Sequence, residues 1–203
     1  YEAFINSYEQ EKSLGLRVNT LKTTLDQFET LNKFDLKSIP WVPEGYFYQQ
    51  ADRPGKHPYH EAGVYYIQEP SAMSVGTFVE AVPGEKVLDL CAAPGGKSTH
   101  VASQLQQEGL LITNEIYPQR AKILSQNIER MGIKNAVVVN ESPQKLAKHF
   151  PSYFDRIVVD APCSGEGMFR KDEVAQEEWS LENVRICADR QADILEEAAT
   201  MLK

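Results

Sequence analysis

Hydrophobic and polar positions follow different patterns before and after about residue 70. Before it, short alternating stretches such as residues 16–21 are separated by prolines, which predicts a small module of strands and short helices. After it, short apolar runs alternate with amphipathic stretches of helical period. That alternation predicts a parallel sheet with helices on both faces. We therefore expect an N-terminal α/β module over residues 1–69 and a Rossmann-like α/β domain over residues 70–203.

Strands and helices can be placed along the second segment. Ser71 is a favoured helix N-cap. The helical spacing of apolar residues that follows it ends before Pro83 and Gly84, so the first helix is expected over about 71–81. The predicted strands are 86–91, 110–114, 136–139 and 156–160. The next helices are expected at about 98–106, 118–131 and 143–149, before a long last helix. The apolar face of that helix would comprise Val184, Cys187, Ala188, Ile194, Leu195, Ala198, Met201 and Leu202.

The predicted last helix has no strand after it. In a doubly wound sheet such a helix leads into a further parallel strand, which would cover the open side of the sheet near residues 155–160. The pattern therefore predicts an incomplete domain, with the first four strands present and the C-terminal strands missing.

Composition narrows the class of protein without identifying it. The 203 residues are 42% hydrophobic and 25% charged, as in ordinary globular chains, and we find no run of apolar residues long enough for a transmembrane helix. The cysteines, Cys91, Cys163 and Cys187, are odd in number and widely spaced, which favours a cytoplasmic protein over a disulfide framework. A net charge of −8 opposes nucleic-acid binding, but most of the acidic excess lies in residues 172–203.

A glycine-rich turn follows the first strand of the predicted parallel sheet. Residues 92–98 read Ala-Ala-Pro-Gly-Gly-Lys-Ser, so a ligand can approach the backbone, and the next helix offers free N–H groups. Glu115 falls at the end of the second strand, where an acid binds the ribose hydroxyls of a nucleoside cofactor. A P-loop would need glycine at Cys91, and a dinucleotide site would need an earlier Gly-x-Gly pair. A tight turn beside a solvated glutamate is the remaining alternative.

A second candidate loop follows the fourth strand, where residues 160–167 read Asp-Ala-Pro-Cys-Ser-Gly-Glu-Gly. The carboxyl ends of parallel strands share one crevice, so this loop and the glycine-rich turn should face the same ligand. Cys163, on a turn fixed by proline and near Arg170 and Lys171, is a candidate reactive thiol. Cys91 and Cys187 fit core positions instead.

The two loops together resemble a known family. Residues 88–98 (Leu-Asp-Leu-Cys-Ala-Ala-Pro-Gly-Gly-Lys-Ser) and 159–167 (Val-Asp-Ala-Pro-Cys-Ser-Gly-Glu-Gly) are similar to the RNA cytosine-5 methyltransferases of the Nol/Nop/Sun family, and most like its bacterial 16S ribosomal RNA members. Residues 17–22 and 68–73 resemble that family's N-terminal module and linker. The resemblance implies an enzyme that uses S-adenosyl-L-methionine to methylate carbon 5 of cytosine in RNA, with ribosomal RNA as the expected substrate.

The resemblance also implies roles for individual residues. The cofactor would be bound by Ala92, Ala93, Pro94, Gly95, Gly96, Lys97 and Ser98. Glu115 would contact the ribose with Arg120 in support, and Asp160 would lie near the methionine end and the target base. A further family acid near the adenine falls at 140–142, where this sequence reads Asn-Glu-Ser.

The reaction explains why a cysteine is needed. Carbon 5 of cytosine is a poor nucleophile until a thiolate adds to carbon 6, which is covalent catalysis. Chemistry alone nominates Cys163, because it follows Pro162 on the candidate loop. The resemblance instead implies that the nucleophile lies in a Thr-Cys pair on the next strand and that Cys163 assists product release. These 203 residues alone are therefore expected to be inactive.

Basic side chains are the candidate RNA contacts. They are Arg17, Lys22, Arg53, Lys56, Arg170 and Lys171. A single-stranded or extruded cytidine is expected, because a deep site cannot reach a stacked base. His57 and His60 lack partners at metal-binding spacing, so no metal is expected. Two alternatives stay open: a noncatalytic RNA-binding or assembly protein with a methyltransferase fold, and an amino-group methyltransferase, whose Asn-Pro-Pro-Tyr motif is here Asp-Ala-Pro-Cys.

Overall fold

The computed structural model describes residues 1–6, 12–169, 173–177 and 179–203. It contains one antiparallel and one parallel sheet, each of four strands. No helix within the described ranges is both long enough and apolar enough to cross a bilayer.

The antiparallel sheet is formed by residues before Pro70, in the order β2-β3-β1-β4. Its strands are β1 (Gly15–Val18), β2 (Lys37–Ile39), β3 (Val42–Phe47) and β4 (Tyr65–Ile67). The helices of this segment are α1 (Glu2–Asn6), α2 (Leu25–Leu31) and α3 (Pro58–Glu61), with 3₁₀ turns at Gln50–Asp52 and Pro54–Lys56. Phe28 of α2 packs against Tyr46 and Tyr65, so the strand aromatics form a core.

Helix α4 (Pro70–Val79) connects the two sheets. The predicted N-cap at Ser71 is wrong, because the side chain of Glu69 accepts the N–H of Ala72 at 3.2 Å and caps the helix two residues earlier. Pro70 then occupies the first helical position, where its fixed φ and missing N–H are suitable.

The parallel sheet has the order β7-β6-β5-β8. Its strands are β5 (Lys86–Asp89), β6 (Leu110–Asn114), β7 (Ala136–Val139) and β8 (Arg156–Val158). Its helices are α5 (Gly96–Leu105), α6 (Pro118–Met131), α7 (Pro143–His149), α8 (Glu173–Glu177) and α9 (Leu181–Met201). Strands and helices alternate along the chain, which confirms the predicted α/β class.

Helices cover both faces of the parallel sheet. On one face, Val101 of α5 and Leu124 of α6 pack on Val87. On the other, Leu146 of α7 and Ile194 of α9 pack on Leu88, the next residue of the same strand. Successive strand residues point to opposite faces, so both Val87 and Leu88 are apolar because β5 is buried on both sides.

The apolar face predicted for α9 is only partly buried. Cys187, Ile194, Ala198 and Met201 are buried, whereas Ala188, Leu195 and Leu202 are exposed. Leu195 and Leu202 line an apolar groove of about 730 Å³ beside β8, together with Val75 and Phe78 of α4. In the described sheet β8 is an edge strand, and the expected further strand beside it stays a prediction.

Candidate cofactor and catalytic site

The glycine-rich turn links β5 to α5 at the carboxyl edge of the parallel sheet. Gly95 caps α5 in the left-handed region with φ of 112°, a conformation that a residue with a Cβ rarely adopts. Two side chains of α6 hold the turn from below. Arg120 Nη2 donates to the carbonyl of Ala93 at 2.8 Å, and Asn127 Nδ2 donates to that of Pro94 at 2.8 Å. The turn is therefore fixed by the neighbouring helix.

Asp89 lies directly behind this turn at the end of β5. Its Oδ2 accepts a hydrogen bond from Ser98 Oγ at 2.7 Å, and both side chains are fully buried. Burial raises the pKa of Asp89 to about 6, against the opposing effect of the Ser98 hydrogen bond. Its Oδ1 is buried and accepts no hydrogen bond from the described residues. Ser98, expected to contact the cofactor, is directed at Asp89 instead, because a buried carboxylate needs donors.

Glu115 follows β6 and is only 3% exposed. Its Oε1 accepts the N–H of Tyr117 at 3.0 Å, and its Oε2 lies 3.3 Å from Arg120 Nη1. A carboxylate has about four acceptor positions, so two remain for the hydroxyls of a ribose. Arg120 thus contacts both the glycine-rich turn and Glu115, and these contacts fix the position of Glu115 relative to the turn.

Asp160, in the loop after β8, is paired across the edge of the sheet. Lys97 Nζ lies 2.7 Å from Asp160 Oδ2, and the lysine side chain is the more buried of the two. This ion pair ties the second loop to the first turn of α5, so the two motifs separated by more than sixty residues meet at one place.

The three cysteines have different surroundings. Cys163 is exposed on the loop after β8, where Gln191 of α9 donates to the neighbouring Pro162 carbonyl at 3.0 Å. Cys91 is half-buried, and burial, with a smaller effect of Asp89, raises the pKa of its thiol to about 12. Cys187 is buried on α9. A thiol with so high a pKa is a poor nucleophile near neutral pH, which leaves Cys163 as the accessible one.

The glycine-rich turn, the end of β6 and the loop after β8 contribute to the wall of one cavity of about 630 Å³. This volume is within the range of small-molecule and cofactor sites. The predicted residues that line it are Ala93, Glu115, Arg120, Asp160 and Cys163. The structure brings these five together from β5, β6, α6 and β8. Ala92, Pro94, Gly95, Gly96, Lys97 and Ser98 belong to the turn and helix start behind Ala93 and are not among the lining residues.

Several lining residues were missed from the sequence. Tyr117 and Gln144 begin the helices after β6 and β7, and Arg190, Asp193 and Ile194 come from α9. The α9 residues lie at i, i+3 and i+4, so they share one helix face. That spacing could indicate that they act together, but it could not show that this face reaches the cavity.

The acid expected near the adenine does not line the cavity. Asn140 Nδ2 donates to the carbonyls of Glu115 and Ile116 at 2.6 and 2.9 Å, so it orders the chain that carries Glu115. Glu141 pairs with Lys145 at 2.9 Å. Pro143 and Gln144 contribute to the cavity wall instead.

The predicted RNA contacts have different outcomes. Arg17 is fully buried, and its guanidinium donates to Thr99 Oγ1 at 2.8 Å and to the Gly96 carbonyl at 3.1 Å. A phosphate cannot reach it in this arrangement, so the expectation that it binds RNA is corrected. Lys22 donates to the carbonyls of Ala62 and Arg130 at 2.6 and 2.7 Å. Arg170 and Lys171 lie outside the described residues.

Metal binding has no support in the part of the chain that the structure describes. It contains no group of three or more His, Cys, Asp and Glu side chains placed to hold an ion. The expectation that the site uses no metal stays a prediction.

The parallel sheet, the glycine-rich turn and the buried acid after β6 define a Rossmann-like methyltransferase fold. The family of 16S rRNA methyltransferase RsmB/F matches residues 77–203, and the N-terminal domain of 16S rRNA methyltransferase RsmF matches residues 1–70. The chain belongs to this RsmB/F family. Membership confirms the recognition made from the sequence, and with it the S-adenosylmethionine cofactor.

Two curated relatives and one solved structure illustrate the similarity. The chain is 39% identical to ribosomal RNA small subunit methyltransferase F of Vibrio vulnificus over 98% of its length, and 37% identical to that of Pectobacterium atrosepticum over its whole length. It spans 44% of the length of each. A methyltransferase homolog protein from Pyrococcus horikoshii has 29% identity and a TM-score of 0.85, with 98% of this chain and 63% of that one covered.

Proposed function

We propose that the protein of which these residues form part methylates carbon 5 of cytosine in ribosomal RNA, with S-adenosylmethionine as methyl donor. One observation carries the proposal: the glycine-rich turn, Glu115 and the loop bearing Asp160 and Cys163 meet around a single cavity. Cofactor, target base and thiol chemistry can therefore share one space. The names of the curated relatives support ribosomal RNA as the substrate.

The residues around the cavity fit the cofactor. Glu115 is buried with acceptor positions to spare for ribose hydroxyls. Ala93 lines the cavity with a side chain no larger than a methyl group. When bound, the sulfonium supplies an electrophilic methyl group. Glu115 and the turn would hold the nucleoside, and the Asp160 end of the cavity would face the methyl group and the base.

Asp160 is the proposed acid beside the target base. As a thiolate adds to carbon 6, N3 takes up a proton from water, and the Asp160 carboxylate can accept a hydrogen bond from that N3–H. Lys97 holds the Asp160 carboxylate at 2.7 Å, so its position is fixed before the base enters. After the methyl group is transferred, carbon 5 loses its proton and the thiol leaves carbon 6, which restores the ring.

The cysteines of this chain are assigned auxiliary or structural roles. The high pKa of Cys91 and the burial of Cys187 disfavour both as nucleophiles. For Cys163 we keep the role implied by the family resemblance, which is assistance in product release. The attacking cysteine would then lie in a Thr-Cys pair outside these residues, and residues 1–203 alone would not transfer a methyl group.

We further propose a division of labour between residues 1–69 and residues 70–203. The first would be an RNA-contacting module and the second the methyltransferase domain. Lys22, Arg170 and Lys171 remain candidate RNA contacts, and a single-stranded or extruded cytidine remains the expected target. We place the protein in the cytoplasm, where free thiols stay reduced.

A trapping experiment tests this mechanism. The full-length protein that contains these residues is incubated with unmethylated 16S rRNA and radiolabelled S-adenosylmethionine, and residues 1–203 are assayed in parallel. We expect transfer by the full-length protein only. The Cys163→Ala variant should accumulate a covalent RNA adduct that resists denaturing electrophoresis. Transfer by residues 1–203 that Cys163→Ala abolishes would instead identify Cys163 as the nucleophile.

A further inference from the structure

A second cavity lies on the antiparallel sheet, away from the residues that line the proposed cofactor site. It measures about 670 Å³. Leu14 before β1, Tyr48 after β3 and Ile67 at the end of β4 form its apolar part, and the two 3₁₀ turns contribute Arg53 and Lys56. We call this cavity the basic groove.

Within the described residues, the charge of the basic groove is not compensated. Lys12, Arg53 and Lys56 line it, all three are exposed, and none forms a hydrogen bond or ion pair with the described residues through its side chain. The described lining includes no acid. Asp52 is the acid next to Arg53, but its two oxygens accept the backbone N–H groups of Gln49 and Asp35. Three cations around one groove, unpaired in the part of the chain that the structure describes, favour a polyanionic ligand.

The groove is also built to hold a planar group. Tyr48 is half-buried against the core of the antiparallel sheet, so its ring is fixed while one side lines the groove. The exposed amides of Gln49 and Gln50 lie beside it and can both donate and accept hydrogen bonds. Stacking on an aromatic ring beside a basic surface is the general mode of single-stranded nucleic-acid binding.

The segment that carries the cations is anchored. Tyr65 Oη donates to the carbonyl of Pro54 at 2.7 Å, which ties the second 3₁₀ turn to β4. Arg53 has φ of 46° and ψ of 51°, an unusual left-handed conformation for a residue with a side chain. The fold therefore fixes the backbone that carries Arg53 and Lys56, so only their side chains need ordering on binding.

Ile67 on the edge strand β4 separates the groove from the cofactor turn. Its side chain lines the groove, whereas its neighbours Tyr66 and Gln68 pack against Gly96, where an added Cβ would lie 3.3 Å from the Tyr66 ring and 3.1 Å from Gln68 Nε2. Successive strand residues point to opposite faces, so a strand bound in the groove would pass around the β4 edge to reach the site that receives the target cytidine. We propose that the basic groove binds the backbone and one base of the single-stranded RNA that flanks this cytidine, an inference that rests on the proposed function.

Binding of a fluorescently labelled single-stranded RNA by the full-length protein that contains these residues tests the groove. The variant Lys12→Gln/Arg53→Gln/Lys56→Gln should weaken binding by roughly 100-fold at low salt and reduce the slope of log K against log salt by about two, since each phosphate contact contributes about 0.7. A control variant with the same change in charge, Lys33→Gln/Lys134→Gln/Lys148→Gln, alters exposed lysines outside the groove and should change affinity by less than about threefold.

Tyr48 separates stacking from charge. Tyr48→Leu should weaken RNA binding by about tenfold with an unchanged salt slope, and Tyr48→Phe should bind as the parent does. Equal losses in the groove variant and the control variant would overturn the proposal, as would equally tight binding of a polyglutamate peptide in the groove.

The experiments distinguish an error in the proposed RNA-binding role of the groove from an error in the proposed function. The binding assay needs no cofactor and no methyl transfer. If the groove variants bind RNA like the parent while the full-length protein still makes 5-methylcytosine, only the groove is wrong. If the groove variants lose RNA but the full-length protein methylates another atom, only the proposed reaction is wrong.

Discussion

The guanidinium of Arg17 donates a hydrogen bond to the carbonyl oxygen of Gly96 at 3.1 Å. Arg17 belongs to β1 of the antiparallel sheet, whereas Gly96 is the first residue of the helix that follows the glycine-rich turn. Thr99 Oγ1 accepts a second hydrogen bond from the same group at 2.8 Å. Burial lowers the pKa of Arg17 to about 10, partly offset by the charge of Glu44. The antiparallel sheet thus holds the start of the cofactor helix through a buried cation.

Replacement of Arg17 should therefore affect cofactor binding as well as stability. Arg17→Met keeps the apolar stem but removes the hydrogen bonds to Gln68 Oε1, the Gly96 carbonyl and Thr99 Oγ1, so we expect a loss of about 1–3 kcal/mol in unfolding free energy and about tenfold weaker binding of S-adenosylhomocysteine. Lys22→Met is the control. Lys22 also links the N-terminal segment to the parallel-sheet segment, but it donates to the carbonyl of Arg130 at the end of α6 and not to the helix that follows the glycine-rich turn. Calorimetry should show unchanged cofactor affinity for Lys22→Met. Equal affinities for both variants and the parent would contradict the role of Arg17.

Asp89 should make stability depend on pH. Its pKa is raised from 3.8 to about 6 in the folded state, so ionisation of the buried group opposes folding. The parent should lose up to about 3 kcal/mol of stability from this group as pH rises from about 4 to about 6, and then no more. Asp89→Asn should lack that loss. The unfolding free energy of the variant minus that of the parent should therefore rise only above about pH 4. Urea unfolding at several pH values measures the difference. A constant difference in unfolding free energy between Asp89→Asn and the parent over this pH range would contradict the raised pKa of Asp89.

Glu115 and Glu141 should differ sharply in cofactor binding. Glu115 is buried at the cavity, and Glu115→Gln should weaken S-adenosylhomocysteine binding by about 10- to 100-fold, the loss expected for charged hydrogen bonds. Glu141 is paired with Lys145 outside the cavity, so Glu141→Gln should change affinity by less than about twofold. Isothermal titration of both variants with S-adenosylhomocysteine measures this difference. A large loss of affinity in Glu141→Gln would show that the adenine binds beside Glu141 and not in the cavity.

Gly76 should tolerate no side chain. A Cβ there would overlap the ring of His100, which is buried and paired with Glu44 at 2.7 Å. We expect Gly76→Ala to lower the unfolding free energy by more than about 2 kcal/mol, because neither ring nor helix can move freely. Gly167→Ala, where an added Cβ would meet no atom of the described residues within 4 Å, should be nearly neutral. Thermal unfolding of the two variants compares them, and similar melting temperatures would contradict this steric account.

The sequence predicts best where local signals set both ends of an element. Helix α6 matches its prediction from Pro118 to Met131, since proline suits the first turn and Gly132 ends the helix with φ of 74°. Arg17 shows the opposite case. A basic residue on an alternating strand resembles a solvent-exposed cation, and its partners Gly96 and Thr99 lie about eighty residues later. Burial of that kind depends on how two sheets meet, which no local pattern encodes.

The reaction at carbon 5 is tested most directly by the fate of its hydrogen. The full-length protein is given S-adenosylmethionine carrying labelled methyl and 16S rRNA that carries tritium at carbon 5 of cytidine. The account predicts release of one tritium to water for each methyl group transferred, because carbon 5 must lose its hydrogen to restore the ring. Methyl transfer without tritium release would show that the methyl group goes to nitrogen or oxygen, and would contradict the proposed function.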